Sequence, residues 1–149
     1  MRHAPEFLTV MESLAPLLRR HPPLCAMSYG ELCDYVALYW NRGTIAFVTD
    51  SQGEGQAVCL IRLFRHLEQF LFKSPHEPCG IFCQIELLVA NDPVSMASVC
   101  EELVDRWGRQ SIVLWDRGTR TGEGAPRMFR WHQFQKLVKR VTHGVLENV

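Results

Sequence analysis

A strand–helix–strand unit in the second half of the chain constrains the fold most. Residues 80–90 form a long, mostly apolar run, which is typical of a central strand covered on both faces. Asp92 is a candidate N-cap residue, Pro93 suits the first helical position, and Gly108 ends the helix. Residues 111–115 then predict a second buried strand. Because one helix links the two strands, they are predicted to be parallel neighbours joined by a right-handed crossover.

Two helices are predicted ahead of this unit. Residues 6–18 place apolar side chains at helical spacing, and Pro16 is expected to end or kink that helix because proline lacks a backbone donor. The second helix begins at a capping box, in which Ser28 and Glu31 stand three residues apart, and Gly43 ends it. Both helices therefore precede the strands in the chain.

A β-hairpin and a final helix complete the predicted elements. The β-rich runs at residues 44–49 and 56–63 flank a turn that contains glycine, and they predict an antiparallel hairpin. The glycine-containing loop at residues 117–126 is predicted to be mobile. Trp131 lies at the start of an amphipathic helix, and residues 128–130 are compatible with a short strand just before it.

The composition fits one folded domain. A chain of 149 residues with 47% hydrophobic and 21% charged residues can bury one core of ordinary size. We therefore expect a single α/β (α+β) domain over residues 1–149, in which residues 1–27 form an N-terminal helix and its connection. No apolar run approaches the roughly 18 residues that span a bilayer, and the N-terminal segment lacks the apolar region of a signal peptide. The expected location is the cytoplasm, without membrane contact.

The cysteines and histidines predict neither a metal site nor a catalytic triad. Cys79 and Cys83 are four residues apart and His76 precedes them, but a zinc site needs a fourth ligand and usually a closer cysteine pair. The remaining histidines are isolated from serine, cysteine or aspartate at any recognisable spacing. Reduced cysteines inside apolar runs behave as small hydrophobic residues, so we expect structural cysteines.

Charge is unevenly distributed along a chain whose formal net charge is zero. Residues 1–105 are net acidic, whereas residues 106–143 are net basic. Such asymmetry indicates an anionic partner near the C-terminal third: a nucleotide-like cofactor, a nucleic acid or an acidic protein surface. The alternative is that the two surfaces attract each other, within the fold or across a homodimer. The sequence leaves both interpretations open.

The order of these elements resembles the GNAT superfamily of N-acetyltransferases. The strand at residues 85–89, the helix at 93–107 and the strand at 111–115 carry the resemblance, as a pattern of elements rather than a motif. The chain is similar, more faintly, to reduced acetyltransferase-like proteins of phages and other mobile elements. The resemblance implies a GNAT-like mixed sheet with an antiparallel hairpin, one β-α-β crossover and flanking helices.

The same resemblance implies an acyl-CoA site. In that family coenzyme A lies across a gap between the long strand and the next one, and its pyrophosphate binds amides at the start of the following helix, where anions are favoured. The family carries glycines at that helix start, whereas residues 91–97 contain none; Asp92 adds negative charge and Pro93 lacks an amide hydrogen. Arginines are implied for the phosphates because their donors form a fixed fork. The residues implied to bind acetyl-CoA or another acyl-CoA are Leu88, Val89, Val94, Ser95, Met96, Ala97, Arg117 and Arg120.

Glu86 matches the glutamate that the family often uses as a general base on its long strand. Apolar surroundings favour the protonated form of a carboxyl group, which suits a base that works near neutral pH. The alternative interpretation is a glutamate that pairs with an arginine. Strand alternation places Glu86 on one face with Gln84 and Leu88, opposite Ile85, Leu87 and Val89.

The family's general acid is matched less well in this chain than its general base. The family often carries a tyrosine near a later helix, and this chain has no tyrosine beyond Tyr39. His132 is the expected substitute, since histidine transfers protons near neutral pH.

Three functions are compatible with the sequence. The first is acyl-CoA-dependent transfer of an acyl group to an amine, in a small molecule or a protein, with Glu86 taking the proton. The second is a catalytically inactive interaction module that keeps the scaffold and binds an acidic protein partner through residues 117–130. The third is nucleic-acid binding, which a pI near 7 disfavours because such domains are usually strongly basic.

Overall fold

The structure is a computed structural model, and it describes residues 3–65, 76–78, 80–108, 112–115 and 127–147. Three sequence predictions lie outside the described residues: those for the loop at 117–126, for Arg117 and Arg120, and for Cys79.

The first helix, α1 (Pro5–Leu18), contains Pro16 in its last turn. The helix ends two residues after this proline, as the sequence predicts from its missing backbone donor. One face of α1 is buried, and it consists of Phe7, Met11, Leu14, Ala15, Leu17 and Leu18.

The second helix, α2 (Tyr29–Arg42), begins at the predicted capping box. The Ser28 hydroxyl accepts a hydrogen bond from the Glu31 N–H, and the Glu31 carboxylate accepts one from the Ser28 N–H. The helix ends at Gly43, whose φ of 71° lies in the left-handed region that glycine adopts without strain. Local sequence signals therefore fix both ends of α2.

The described residues contain five strands, which form one mixed sheet in chain order: β1 (Ile45–Thr49), β2 (Gly55–Phe64), β3 (Phe82–Ala90), β4 (Ile112–Trp115) and β5 (Arg127–Arg130). β1, β2 and β3 pair antiparallel, β3 and β4 pair parallel, and β4 and β5 pair antiparallel. The predicted hairpin, the long central strand and the short strand before the last helix are all observed.

Helix α3 (Pro93–Trp107) links the parallel strands β3 and β4, and helix α4 (Trp131–Glu147) follows β5. Asp92 caps α3, as predicted, because its carboxylate accepts from the Ser95 N–H at 2.8 Å. Arg106 links the other end of α3 to the start of β1. Its guanidinium donates hydrogen bonds to the carbonyls of Gly43 and Ile45, at 2.5 and 2.7 Å.

The sheet separates two apolar cores. On one face, α1 and α2 pack against side chains of β1, β2 and β3, and on the other face α3 and α4 pack against side chains of β1 to β4. Apolar side chains on both faces explain why β2 and β3 appear in the sequence as nearly continuous apolar runs. This topology confirms the predicted α/β class: the described residues form a mixed sheet with an antiparallel hairpin, a β-α-β crossover and flanking helices.

No helix in the described part of the chain is both long and apolar enough to cross a membrane.

Candidate functional site

A β-bulge lies at Glu86, in the middle of β3. The register pairs Leu60 with Leu87 but Ile61 with Ile85, so Glu86 has no opposite residue on β2. A bulge of this kind interrupts the alternation of side chains and re-aims one of them.

The bulge overturns part of the predicted face assignment. Glu86 and Gln84 share a face as predicted, since both contact Arg62, and Ile85 packs on the opposite face. Leu88, however, packs with the core of α3 and α4, whereas Leu87 and Val89 pack on the α1 and α2 side, with Glu86. The prediction was wrong for these three leucine and valine residues because the extra residue shifts the alternation by one position.

Glu86 lies in a polar network rather than in apolar surroundings. Its Oε1 forms an ion pair with Arg62, whose Nε lies 3.1 Å away, and its Oε2 accepts a hydrogen bond from the hydroxyl of Tyr39. The other end of the guanidinium donates from Nη2 to Oε1 of Gln84 at 2.7 Å. The Arg62 side chain is 7% exposed and that of Glu86 is 25% exposed. The alternative that the sequence left open, a glutamate paired with an arginine, is therefore the observed one.

Tyr39 is the residue that the sequence analysis missed. It lies on the buried face of α2, and burial together with its hydrogen bond to Glu86 raises the pKa of its phenol well above the ordinary value. The ring of Tyr35, one helical turn earlier, meets it edge-on with centroids 5.5 Å apart. A signal for this contact was present: two tyrosines four residues apart, on the face of a helix that packs on a sheet, need polar partners for their hydroxyls.

The imidazole of His76 lies close enough to Arg62 and Glu86 for their charges to act on it. Its Nδ1 accepts from the N–H of Leu63 at 3.1 Å, so the lone pair of that nitrogen is occupied. Burial, followed by the positive charges of Arg42 and Arg62, lowers the pKa of the imidazole. A neutral imidazole near neutral pH follows from these causes.

The parallel pairing of β3 with β4 covers only the first half of β3. The register runs from Phe82–Ile112 to Ile85–Trp115, and the described residues of β4 end there. β3 continues for five more residues, Glu86 to Ala90, whose edge on the β4 side has no described strand beside it. We call residues 86–90 on this side the open edge of β3, since no described residue pairs with them there. The gap that the family resemblance implies stays a prediction, because residues 116–126, which follow β4, lie outside the described ranges.

Backbone groups of β3 face that open edge. The N–H of Asn91 donates to the carbonyl of Gln56 on β2, at 2.8 Å. Because successive residues of a strand direct their backbone groups to opposite sides, Val89 also faces β2, whereas Leu88 and Ala90 face the side of β4. Two residues after the bulge therefore present amide and carbonyl groups along the open edge.

The start of α3 does not fit a pyrophosphate. Asp92 accepts from the Ser95 N–H and, through Oδ2, from the Ser95 hydroxyl at 3.0 Å. The Met96 N–H donates to the Asp92 carbonyl at 3.1 Å, and Pro93 has no N–H to offer. Val94 is 63% exposed. Among residues 93–96, its N–H is the amide for which no hydrogen-bond partner is described.

The other predicted site residues are dispersed. His132 lies exposed at the start of α4, on the α3 side of the sheet and beyond its Phe82 end, so the structure does not bring it to Glu86. Met96 packs into the core beneath α3, and Ala97 lines a groove between α3 and α4. The roles predicted for Arg117 and Arg120 stay predictions, since both lie outside the described residues.

Two cavities lie away from Glu86. One of about 530 Å³ is lined by α1, the β1–β2 turn and Asn91, and includes Glu12, Arg20 and Glu54. The other, of about 310 Å³, is the groove between α3 and α4. Within the described ranges, no three His, Cys, Asp or Glu side chains are grouped so as to hold a metal ion.

The comparisons with known proteins give one structural likeness. No family model matches this chain, and no curated protein matches it. Among solved structures the chain is similar to GphF, described as a GNAT-like decarboxylase in complex with isobutyryl-CoA, with 16% identity and a TM-score of 0.47. The match covers 76% of this chain and 64% of that one, so this chain spans less than two thirds of that protein. No substrate or residue role passes from that protein to this chain, and the similarity to reduced phage proteins stays a prediction.

Proposed function

We propose that this chain is an acyl-CoA-dependent N-acyltransferase that acts on a small-molecule or protein amine. The observation that carries the proposal is the open edge of β3 beside a bulged carboxylate. Residues 86–90 lie beyond the described pairing of β3 with β4, and Glu86 directly follows its last described pair, Ile85 with Trp115.

The open edge suits the pantetheine arm of an acyl-CoA. That arm is an extended chain with two amide groups, each of which has a donor and an acceptor. The backbone groups of Leu88 and Ala90 that face away from β2 offer complementary donors and acceptors at the spacing of a strand. A pantetheine chain bound there lies like an added strand, and its thioester end points toward Glu86.

Glu86 is placed to accept the proton of an attacking amine. The amine nitrogen forms a bond to the thioester carbonyl carbon, the carbon–sulfur bond breaks, and the thiolate leaves. The amine proton passes to Glu86, whose Oε2 accepts a hydrogen bond from Tyr39 and whose Oε1 pairs with Arg62, and both oxygens retain acceptor capacity. Arg62 and Tyr39 hold the carboxylate in one orientation, and the Glu86 side chain is 25% exposed.

A second candidate function is a catalytically inactive interaction module. Two observations favour it: Glu86 is paired with Arg62, and Asp92 occupies the helix start where the resemblance implies a pyrophosphate. An acidic protein partner is then proposed to bind the basic segment at residues 117–130, of which residues 127–130 are described.

Thermal melting with acetyl-CoA separates the two functions. A ligand that binds only the folded state raises the melting temperature by mass action, and 1 mM ligand at 10 to 100 times its Kd adds about 1.4 to 2.7 kcal/mol. That corresponds to a rise of roughly 3–10 °C for a domain of this size. If acetyl-CoA does not raise the melting temperature, the inactive interaction module is the function that remains. If an oligonucleotide raises the melting temperature and salt weakens this effect, nucleic-acid binding is favoured.

Turnover is then measured by the release of free thiol with a panel of amines. We expect Glu86→Gln to keep the melting shift and lose turnover at least 100-fold, since general base catalysis contributes about that much. The matched control is Glu6→Gln, which alters an exposed carboxylate in the first turn of α1 and is expected to keep full activity.

A further inference from the structure

The first turn of α3 carries an inference about which part of an acyl donor this chain recognises. It rests on the proposed function. A helix start binds a pyrophosphate through amides that lack partners, through the positive end of the dipole, and through a backbone that a phosphate can approach closely. Each of these three conditions is tested by the residues around Asp92.

The free amides are largely used up. The carboxylate of Asp92 accepts from the Ser95 N–H at 2.8 Å and from the Ser95 hydroxyl at 3.0 Å. Pro93 contributes no N–H, and the Met96 N–H is already bonded within the helix. The internal carboxylate therefore takes the place that an external anion takes at an uncapped helix.

The charge carried by residues 91–97 themselves is unfavourable for phosphate. Residues 91–97 contain one carboxylate and no lysine, arginine or histidine. A bound carboxylate already satisfies the positive end of the helix dipole, and a second anion beside it is repelled. Among the described residues, the guanidinium of Arg20 reaches this corner, where it donates to the side chain of Asn91 and lines the cavity on the α1 side.

The surface at this turn is also apolar and lacks glycine. Pro93 and Val94 occupy the first two positions of α3, and Val94 is 63% exposed. Their side chains stand where a glycine-containing helix start leaves room for phosphate oxygens against the backbone. An exposed valine and a proline offer contact to the apolar gem-dimethyl part of a pantetheine arm instead.

We propose that this chain recognises its acyl donor through the acyl-pantetheine arm, and that Asp92 excludes the pyrophosphate from the start of α3. The ligand class is an acyl-pantetheine thioester, whatever group its far end carries. The proposal stands against the sequence-based expectation that Arg117 and Arg120 hold the phosphates, and one set of binding measurements decides between them.

The experiment compares acetyl-CoA with acetyl-pantetheine on the unaltered protein by isothermal titration calorimetry, at 50 and 300 mM salt. The proposal predicts Kd values within about threefold of each other and an acetyl-CoA affinity that does not fall with salt. An acetyl-CoA affinity at least tenfold tighter than that of acetyl-pantetheine, weakened by salt, overturns the proposal and leaves the acyltransferase function intact. Binding of neither ligand overturns the acyltransferase function, and the inference with it.

Two variants test which residue excludes the pyrophosphate of acetyl-CoA. Asp92→Asn keeps a capping oxygen and removes the charge, so it is expected to tighten acetyl-CoA binding about threefold or more without changing acetyl-pantetheine binding. Arg20→Ala is expected to leave both affinities unchanged. An unchanged acetyl-CoA affinity in Asp92→Asn, or a selective loss of acetyl-CoA binding in Arg20→Ala, overturns the role given to Asp92.

Discussion

Arg62 and Glu86 form an ion pair between the neighbouring strands β2 and β3, with Nε and Oε1 3.1 Å apart. Strand alternation places Glu86 on the face of Gln84, where Arg62 and Tyr39 lie, and the bulge leaves Glu86 without an opposite residue on β2. Arg62 is nearly fully buried, so its charge requires the carboxylate and the Gln84 oxygen as partners. The same pair therefore contributes to folding and to the proposed chemistry.

Removing one member of the pair is expected to destabilise the fold more than removing both. Glu86→Leu leaves the buried guanidinium without its anion, and the expected loss is about 3 kcal/mol of unfolding free energy. Arg62→Met combined with Glu86→Leu replaces the pair by apolar groups and is expected to recover most of that loss. Urea denaturation of both variants and of Arg62→Met completes a double-mutant cycle.

This cycle also separates structure from chemistry. The double variant is expected to be well folded and to lack turnover, because it has no carboxylate at position 86. A double variant as unstable as Glu86→Leu contradicts the role given to the ion pair in the fold.

Ionisation of Tyr39 is expected to contribute to the fall in unfolding free energy in alkaline solution. Burial and the bond to Glu86 raise its pKa above the ordinary value of 10.0, so the unfolded chain ionises this phenol before the folded protein does. The stability from the protonated phenol is therefore fully present below pH 10 and is lost as the pH rises above it. Tyr39→Phe removes this loss, and we expect a shallower fall in unfolding free energy between pH 10 and about pH 11.

The control for this measurement is Tyr29→Phe, since Tyr29 is 39% exposed at the start of α2. Burial also raises the pKa of the Tyr29 phenol, so this variant is expected to make the alkaline fall shallower too, but by less than Tyr39→Phe does. Equal slopes in Tyr39→Phe and the unaltered protein contradict the buried, bonded state of the Tyr39 phenol.

Gly55 sets how closely α1 approaches β2. A Cβ atom at this position comes within 2.6 Å of the Ser13 carbonyl oxygen and 3.0 Å of Leu14 Cδ2. Gly55→Ala is therefore expected to push α1 away and to lower the unfolding free energy by about 1–3 kcal/mol. The matched control is Gly30→Ala in α2, where the nearest atom, the hydroxyl oxygen of Ser28, is 4.0 Å away and a gain of roughly 0.5–1 kcal/mol is expected.

The denaturation midpoints of these two glycine variants are expected to move in opposite directions. A Gly55→Ala variant as stable as the unaltered protein contradicts the close packing of α1 on β2.

Local signals made most of the fold predictable from the sequence. The capping box of Ser28 and Glu31 and the stop at Gly43 set the ends of α2, and Asp92 with Pro93 sets the start of α3. Each of these signals acts within one helical turn, so it can be recognised without knowledge of the tertiary structure. The alternation of apolar runs and turns then gave the hairpin and the crossover.

The candidate site depends on long-range contacts, and these were not predictable. Arg62 and Glu86 are brought together by strand register, and Tyr39 reaches them from a helix 47 positions before Glu86. One unpaired residue in β3 was enough to reverse the expected faces of Leu87, Leu88 and Val89, because alternation has a period of two. Nothing in a single sequence marks where such a bulge falls.

The open edge of β3 is tested most directly by its own amides. We expect titration with acetyl-pantetheine to shift the ¹H–¹⁵N resonances of Leu88 and Ala90 and to slow their hydrogen exchange, while the amide of Val89, which faces β2, changes much less. If the resonances of Leu88 and Ala90 do not shift at saturating ligand, a thioester bound along this edge is contradicted. Resonance shifts confined to residues that line the cavities beside α1 and α4 contradict it as well.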